Sequence, residues 1–501
     1  MLDIVIRDGL IYDGTGNPPF HGDVGLRAGR IAAVGRVRLP ARKTIDARRL
    51  AVCPGFVDVH SHADLARNPI AHNLIRQGIT TVVSGNCGDS PLPIRKALAA
   101  VAAARPAIHF ATFVGHNDVR KQVMGMAACR PTPREQRKMR RLVEGAMADG
   151  AVGFSTGLIY TPSVYATTNE LVDLAAVAGA NGGIYATHMR DAGPNVLEAI
   201  AEAGEIGRRA KLPVLASHLK VCHRKGVSQA ARRTRVQEGL DVIRRYRNRG
   251  VDMLADVYPY TASHTSLFAA TIPPWVAEGG RLPENLRDPA VRRKIRKDVA
   301  DLIAWRQGAE SFVISSCPGR PSLVGKTLAQ IARRRKTNAA NAAMDLVAEY
   351  NPDIISHAMH PEDVATIIAS PHTMIASDSS VDTKELPMVH PRYYGAFPRV
   401  IAQYVREAPT LTMEQAIRKM TSLPARAVGL SDCGLLAKGM QADVIIFDPR
   451  RFADRATFET PRRHPVGLKH VLIRGHIALT AQKLSPQRHG RVVRPGKDNA
   501  T

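Results

Sequence analysis

The sequence predicts an α/β protein: a (β/α)8 TIM barrel with a small β-sandwich domain formed from both termini and an inserted lid subdomain. Three patterns predict this fold. Short apolar segments alternate with stretches of helical length through the middle of the chain, strand-like segments rich in glycine occupy both ends, and one connection is too long for a loop.

Both ends of the chain contain short strand-like segments punctuated by glycine. They lie at 4–6, 10–12, 23–26, 31–34, 443–447 and 470–473. We therefore expect residues 1–53 and 434–480 to form one composite β domain. The last residues, 481–501, are polar and basic and are interpreted as a tail.

The central region, 54–433, repeats a strand followed by a helix. Its eight strand candidates are 56–59, 80–83, 108–111, 152–154, 184–186, 214–216, 252–255 and 373–376. Amphipathic segments such as 169–180, 194–209 and 231–249 lie between most of them. Repeated βα units favour a parallel sheet, and eight of them predict a closed barrel.

The connection between the seventh and eighth strand candidates breaks this rhythm. An unstructured loop of that length is uncommon inside a compact domain. Residues 274–350 contain helical segments and the apolar triplet 312–314. We therefore predict an inserted subdomain there, acting as a lid over the barrel mouth.

Composition is that of a globular protein in a reducing compartment. Hydrophobic residues make up 45% and charged residues 23% of the 501 residues, which excludes a disordered or collagen-like chain. The six cysteines are scattered and contain no CxxC pair, so no disulfide framework is predicted. Asp3, Arg7 and Asp8 interrupt the first apolar residues, which argues against a signal peptide. The protein is expected to be cytoplasmic.

The net charge of +26 raises nucleic-acid binding as an alternative function. However, the basic residues occur in short scattered runs such as 232–233 and 333–336, and aromatic residues are only 5%. No nucleic-acid or membrane motif is present in the sequence. We therefore predict a small anionic substrate as the partner and neither nucleic acid nor a membrane, while an oligomer stays open.

Metal-ligand residue types follow several of the strand candidates. His60 and His62 come directly after the first one, and residues at i and i+2 of a strand point the same way. An isolated HxH is equally compatible with two structural histidines. The ends of later strand candidates add Cys87, His188, His218 and Asp378. Carboxyl ends of barrel strands surround one mouth, so these side chains are predicted to converge on an active site.

This set suits zinc, which accepts imidazole, thiolate and carboxylate ligands and keeps a position open for water in catalytic sites. Zinc makes such a water a hydroxide near neutral pH. Asp378 is the candidate general acid/base, taking a proton from the water and passing it to the leaving nitrogen. Cys87 could instead be a buried apolar residue or a nucleophile, but its place in S-G-N-C-G after a strand favours a metal ligand.

Several motifs resemble those of a known family. Residues 54–62, P-G-F-V-D-V-H-S-H, resemble the opening motif of the amidohydrolase superfamily, and G-N-C-G at 85–88 is typical of its D-aminoacylase branch, the N-acyl-D-amino-acid deacylases. The resemblance covers residues 1–475. It continues through 153–158, 187–190, 217–220, 258–260, 377–378, 390–392 and 419–426.

The resemblance implies a zinc-dependent hydrolase that cleaves the linear amide of N-acyl-D-amino acids, or of dipeptides containing a D-residue. It assigns one tightly bound zinc to Cys87, His188 and His218. A weaker second zinc position would be surrounded by His60, His62 and Asp378, with Cys87 able to bridge. The residues facing the substrate's carboxylate and carbonyl would be Lys220, Tyr258 and Arg392.

The chain departs from the family pattern in two places. His264 stands where the family has a serine that touches substrate, and the stretch between Asp378 and Arg392 is longer than usual. At the pocket edge, His264 would shrink the pocket or, carrying charge below about pH 6.5, attract a second anionic group. A solvent-facing loop histidine is the alternative interpretation.

Two other functions stay open at this point. One is a cyclic amidase of the hydantoinase or dihydroorotase kind, which in this superfamily relies on a carboxylated lysine at strand four. Strand four here ends in G-F-S-T at 153–156 and lacks lysine. The other is a catalytically silent amidohydrolase-like binding protein, although no metal ligand is missing.

Overall fold

The computed structural model describes residues 1–496 of the chain. At its centre lie eight parallel strands, numbered barrel strands 1 to 8 in chain order. They are Phe56–Asp58, Ile79–Ser84, His109–Thr112, Gly153–Gly157, Ile184–His188, Val214–Ala216, Met253–Val257 and Thr373–Ile375. Each overlaps one of the eight sequence candidates, and a two-residue strand, Val114–Gly115, pairs with barrel strand 4.

Backbone hydrogen bonds close these strands into a barrel. Strands 1 to 3 form one parallel ladder and strands 4 to 8 another. The Val152 amide donates to the Thr112 carbonyl at 2.9 Å and joins strands 3 and 4, while the Asp378 amide donates to the His60 carbonyl at 2.9 Å and joins strand 8 to strand 1. The predicted fold class is confirmed.

Side chains alternate between the two faces of each barrel strand. Val57 and Leu215 belong to a hydrophobic cluster built largely from alternate strand residues, which fills the barrel interior. Their neighbours Phe56 and Val214 pack in a different cluster with the surrounding helices. Both faces are therefore buried, which explains why the strands are almost continuously apolar in the sequence.

Helices surround the barrel and match the predicted amphipathic segments. Thr132 caps the helix Pro133–Asp149 through a capping box with Glu135. The barrel helices are His72–Ile75, Ile94–Ala103, His116–Met124, Pro133–Asp149, Thr168–Ala180, Val196–Ala210, Gln229–Asn248, Pro361–Ala369, Arg392–Arg399, Met413–Met420 and Ser422–Ala427, with a π-helical stretch at Val400–Glu407. Within residues 1–496, none of the helices is both long and apolar enough to cross a membrane.

The small β domain combines strands from both ends of the chain. The antiparallel pairing of Val444–Phe447 with Ala51–Pro54 joins the two halves into one sheet. Its strands are Leu2–Ile11, Phe20–Arg27, Arg30–Gly35, Ala41–Asp46, Ala51–Pro54, Val444–Phe447, Leu468–Ile473, His476–Thr480 and Lys483–Leu484. A sheet built from both termini is what the glycine-punctuated patterns predict.

The described part of the predicted tail packs against the barrel. The Phe110 amide donates to the Arg491 carbonyl at 2.9 Å, and the Val493 amide donates to the Phe110 carbonyl at 2.9 Å. Val493 is buried in the barrel-interior cluster. Interpreting 481–496 as a tail is therefore wrong, because two valines within the basic stretch provide an apolar anchor. The rest of the predicted tail, 497–501, lies outside the described residues.

The connection between barrel strands 7 and 8 folds into a unit with its own hydrophobic core. It contains a three-stranded antiparallel sheet of Ser263–Ser266, Phe312–Ser316 and Asp353–Ser356. Its helices are Leu267–Thr271, Leu282–Arg287, Pro289–Ala304, Leu328–Arg334 and Ala339–Glu349. The unit spans about 263–356 and is wider than the predicted 274–350, since its first and last strands flank that range.

A buried ion pair offers a test of the barrel packing. Glu170 accepts a bond of 2.5 Å from the Arg120 guanidinium and lies 3.1 Å from the His116 ring, and all three side chains are buried. Glu170→Ala leaves Arg120 buried without its carboxylate, so we expect a loss of about 3 to 5 kcal/mol of stability. Thermal unfolding measures this, with the exposed Glu144→Ala as control. Equal unfolding midpoints for the two variants would contradict the prediction.

Candidate active site

The predicted site residues converge at the carboxyl ends of the barrel strands. They surround a cavity of about 350 Å³. The predicted residues that line it are His62, Cys87, His188, His218, Lys220, Tyr258, His264, Asp378 and Arg392. His60 lies just behind the cavity wall, fully buried, with its Nε2 3.5 Å from the Cys87 sulfur.

Strained backbone directs three of these side chains into the mouth. Cys87, His218 and Asp378 have φ angles of 55°, 37° and 49°, in the left-handed region. Non-glycine residues there cost about 1 to 3 kcal/mol and persist only where the surroundings fix them. The His218 amide, for example, donates to Asp256 at 2.8 Å. The strain is therefore concentrated at candidate metal ligands.

One candidate metal cluster consists of Cys87, His188 and His218. The Cys87 sulfur lies 3.6 Å from His188 Nδ1 and 3.6 Å from His218 Nε2. Thiolate and imidazole on one tetrahedral zinc stand about 3.5 Å apart. The two histidine nitrogens are only 2.8 Å apart, so they must separate by about half an ångström to share an ion. The donor set and its spacing fit zinc.

A second cluster shares the same mouth and contains His60, His62 and Asp378. Asp378 Oδ1 lies 3.2 Å from His62 Nε2 and 3.6 Å from His60 Nε2. His60 and His62 also form a three-residue ligand group with Cys87. The cysteine sulfur therefore stands between the two clusters, as a bridging ligand would.

A buried carboxylate that sequence reasoning missed supports both clusters. Asp256 is fully buried on barrel strand 7, with one oxygen 3.3 Å from His60 Nδ1 and the other accepting the His218 amide. Such carboxylates fix the orientation of ligating histidines. The available signal was a charged residue inside the apolar segment M-L-A-D-V, 253–257.

The electrostatics favour a Cys87 thiolate next to neutral rings of His188 and His218. Burial acts to raise the pKa of the Cys87 thiol, but the three imidazoles around it prevail and lower that pKa well below its usual value. Burial lowers the pKa of His188 to about 4 and that of His218 well below its usual value. Thiolate and neutral imidazole are the protonation states that bind metals.

Arg392 contacts the candidate general base directly. Its Nη1 donates to Asp378 Oδ2 at 2.7 Å, and its guanidinium stacks on the Tyr258 ring. Burial acts to raise the pKa of Asp378, but Arg392 prevails and holds it well below its usual value. The Arg392 Nε is buried without a hydrogen-bond partner in the described part of the chain. That unused donor leaves Arg392 able to bind a second carboxylate.

Lys220 and Tyr258 complete the predicted substrate wall. The Lys220 ammonium lies 3.0 Å from His218 Nδ1, and burial lowers its pKa. The buried Tyr258 hydroxyl finds no partner among residues 1–496. An orphaned buried hydroxyl in a cavity wall is a group that a bound molecule can satisfy.

His264 lines the cavity and is not a solvent-facing loop histidine. It lies on the first strand of the inserted sheet, with Nε2 3.0 Å from the Ser315 hydroxyl. Burial and the nearby Arg392 lower the pKa of His264 to about 4. The expectation that it carries charge below about pH 6.5 is therefore wrong, because its place inside the protein disfavours the charged ring.

Three further cavity residues escaped the sequence reasoning. Tyr160 packs its ring edge-on against His188 with centroids 5.1 Å apart, and Asp89 accepts a bond of 3.0 Å from Asn117. Arg306 enters the cavity from the inserted unit. Asp89 lies two residues after Cys87 and could have been found there, whereas no motif marked Arg306.

The mouth of the β/α barrel gathers histidines, a cysteine and an aspartate within metal-binding distance. This arrangement is typical of metal-dependent enzymes built on a β/α barrel. Comparisons with known proteins identify the family. Residues 43–479 match the model of the amidohydrolase family. The N-acyl-D-glutamate deacylase of Alcaligenes xylosoxydans xylosoxydans is 37% identical, over 98% of this chain and 96% of that protein.

Two more relatives agree over nearly the full length. The D-aminoacylase of Alcaligenes xylosoxydans xylosoxydans is 35% identical, over 98% of this chain and 97% of that protein. The crystal structure of N-acyl-D-glutamate deacylase from Bordetella bronchiseptica, complexed with zinc and a phosphonate inhibitor, has a TM-score of 0.84 at 35% identity, covering 98% of this chain and 99% of that one. The chain therefore belongs to the amidohydrolase family, in the branch of the D-aminoacylases.

Proposed function

We propose that this protein is a zinc-dependent deacylase that hydrolyses the amide bond of N-acyl-D-amino acids, or of dipeptides containing a D-residue, and releases a carboxylate and a D-amino acid. One observation carries the proposal: the Cys87 sulfur lies 3.6 Å from ring nitrogens of His188 and of His218 at the mouth of the barrel. The names of the relatives support the D configuration.

Cys87, His188 and His218 would hold the tightly bound zinc. His60, His62 and Asp378 would surround the weaker second position. A zinc ion held there would supply a Lewis acid that activates water and polarises the substrate carbonyl. The protein's own residues must then hold the substrate and move the protons.

Asp378 would move the proton. Its carboxylate is ionised because Arg392 holds its pKa low, so it can accept a proton from the attacking water. The same group then donates that proton to the leaving nitrogen. Its Oδ2 is held by Arg392 at 2.7 Å, and its Oδ1 lies on the side of His60 and His62. The pairing thus fixes which oxygen faces the metal clusters.

Lys220, Tyr258 and Arg392 would bind the α-carboxylate of the substrate. Arg392 keeps its buried Nε free while Nη1 holds Asp378, and the Tyr258 hydroxyl is buried and unsatisfied within the described chain. A carboxylate between them would satisfy both orphaned groups with charge-assisted hydrogen bonds. His264, uncharged near neutral pH, would narrow the pocket beside Arg392.

Removing Arg392 tests this arrangement through two separate effects. Arg392→Ala is expected to lower kcat/KM for N-acetyl-D-amino acids, with a loss of roughly 2 to 5 kcal/mol of transition-state stabilisation, because the α-carboxylate loses its hydrogen bonds to the guanidinium. It also removes the cation that depresses the pKa of Asp378. That pKa then rises, so the acid limb of the kcat/KM profile shifts to higher pH.

His264→Ser serves as the matched control, since it changes the same wall and leaves the Asp378 pair intact. We expect it to alter the ranking of substrates and to leave the acid limb in place. If Arg392→Ala left both kcat/KM and the acid limb of its pH profile unchanged, the proposed binding of the α-carboxylate by Arg392 would be refuted.

The cyclic amidase alternative is less well supported. Barrel strand 4, Gly153–Gly157, contains no lysine, whereas that alternative needs a carboxylated lysine there. Cys87 lies between the two clusters instead. The silent binding protein is also disfavoured, because every predicted ligand is present and converges.

A substrate panel separates these functions. The zinc-loaded protein should hydrolyse N-acetyl-D-amino acids, discriminate strongly against their L enantiomers, and leave 5-substituted hydantoins intact. Ring opening of hydantoins without deacylation would support the cyclic amidase. Binding of N-acetyl-D-amino acids without turnover would support the silent protein.

A further inference from the structure

One arginine of the inserted unit reaches the cavity and has no ion-pair partner within the described residues 1–496. Arg306 follows the helix Pro289–Ala304 and lines the cavity together with Leu302. No carboxylate or carbonyl of residues 1–496 accepts a hydrogen bond from its guanidinium. The other cavity arginines differ, since Arg190 is paired with Glu202 at 2.9 Å and Arg392 with Asp378 at 2.7 Å.

Arg306 lies on the substrate side of the cavity. It lines the same cavity as Lys220, Tyr258 and Arg392, the residues of the proposed α-carboxylate wall. The cavity's own carboxylates do not neutralise it. Asp191, which also lines the cavity, accepts the amides of Gly193 and Asn195 and forms no ion pair with Arg306.

The inserted unit also contributes apolar residues to the cavity lining. They are Ala269, Ile272 and Leu302. The helices that carry Ala269 and Leu302, Leu267–Thr271 and Pro289–Ala304, pack against each other. The unit therefore presents both apolar side chains and a cationic group to the cavity.

This surface suits a short aliphatic chain that ends in a negative charge. A neutral apolar side chain would cover the wall but would take the guanidinium out of water without a partner, which is costly. Methylene groups would pack on the apolar side chains, while a terminal carboxylate would accept hydrogen bonds from the Arg306 guanidinium.

We propose that Arg306 binds the side-chain carboxylate of the substrate, so that this enzyme prefers N-acyl-D-amino acids with acidic side chains, N-acyl-D-aspartate and N-acyl-D-glutamate. The inference rests on the proposed deacylase function. It assigns the inserted unit a role in choosing the substrate, separate from the zinc cluster and from the α-carboxylate clamp.

The test compares two nearly isosteric substrates, N-acetyl-D-glutamate and N-acetyl-D-glutamine. Wild-type protein should prefer glutamate. Arg306→Met keeps length and apolar contact, and should lower kcat/KM for glutamate by about 10- to 100-fold while changing that for glutamine less than about threefold. Arg224→Met is the control, because Arg224 stacks on Trp305 and pairs with Asp301 outside the cavity.

Each other outcome overturns the inference. Equal losses on both substrates would assign Arg306 to the α-carboxylate, and an unchanged ratio would leave it without a substrate role. If Arg306→Met fails to fold, the ratio of the wild-type kcat/KM values for the glutamate and glutamine substrates still tests the proposal, since a preference for glutamine contradicts it. Absence of hydrolysis for every N-acetyl-D-amino acid would instead refute the deacylase function itself.

Discussion

Replacing Cys87 with alanine is expected to abolish zinc retention and, with it, turnover. Its sulfur lies within 3.6 Å of ring nitrogens of His60, His188 and His218, so the variant removes a ligand of the tight cluster that also borders the second one. Perturbing residues that merely orient ligands lowers metal affinity by about 10- to 100-fold, and loss of a thiolate ligand should exceed that range. Metal content after dialysis, measured by mass spectrometry, checks the expectation.

Cys53→Ala is the matched control for this experiment. Cys53 is also fully buried, but it lies in the small β domain and belongs to neither metal cluster. It should keep stoichiometric zinc. If Cys87→Ala also kept stoichiometric zinc and full activity, the assignment of Cys87 as a ligand would be wrong.

Asp378→Asn is expected to lower kcat by at least about 10²-fold, since an amide of the same shape cannot accept and return a proton. The cluster of Cys87, His188 and His218 does not include Asp378, so the tight zinc should remain. Loss of kcat with retained zinc would distinguish a proton-transfer role from a purely structural one. Stopped assays on N-acetyl-D-amino acids, with metal analysis of the same sample, provide both readings.

Asp89→Asn is the comparison for that variant. Asp89 is another carboxylate in the cavity wall, and its hydrogen bond to Asn117 can survive the change. We expect a much smaller loss than for Asp378→Asn. Near-normal kcat in Asp378→Asn, or a greater loss in Asp89→Asn, would contradict the assignment of the general base.

The barrel and the ligand residues could be predicted because their signals are local. Most strands are short and largely apolar, and each candidate ligand ends its strand or follows it within a few residues, as His62 follows Phe56–Asp58. A parallel barrel then brings those strand ends to one mouth whatever the exact packing. The sheet built from both termini was predictable for a similar reason, since its strands carry the same glycine-punctuated pattern.

The remaining features depend on contacts between distant segments. The low pKa of His264 results from its burial within the folded protein and from the nearby Arg392, and the pairing of Arg392 with Asp378 depends on the fold of the loop between them. Arg306 approaches the barrel from a unit with its own core, so nothing near it in sequence indicates a site. The packing of Val493 against the barrel could not be predicted, because the residues around it are mostly polar and basic.

Zinc titration of the metal-stripped protein tests the central claim most directly. The rate of acetate release from an N-acetyl-D-amino acid, followed by NMR, should be negligible without metal and should rise as zinc is added. The L enantiomer should stay intact throughout the titration. A metal-free protein with full turnover, or a zinc-loaded protein that hydrolyses neither enantiomer, would contradict the account.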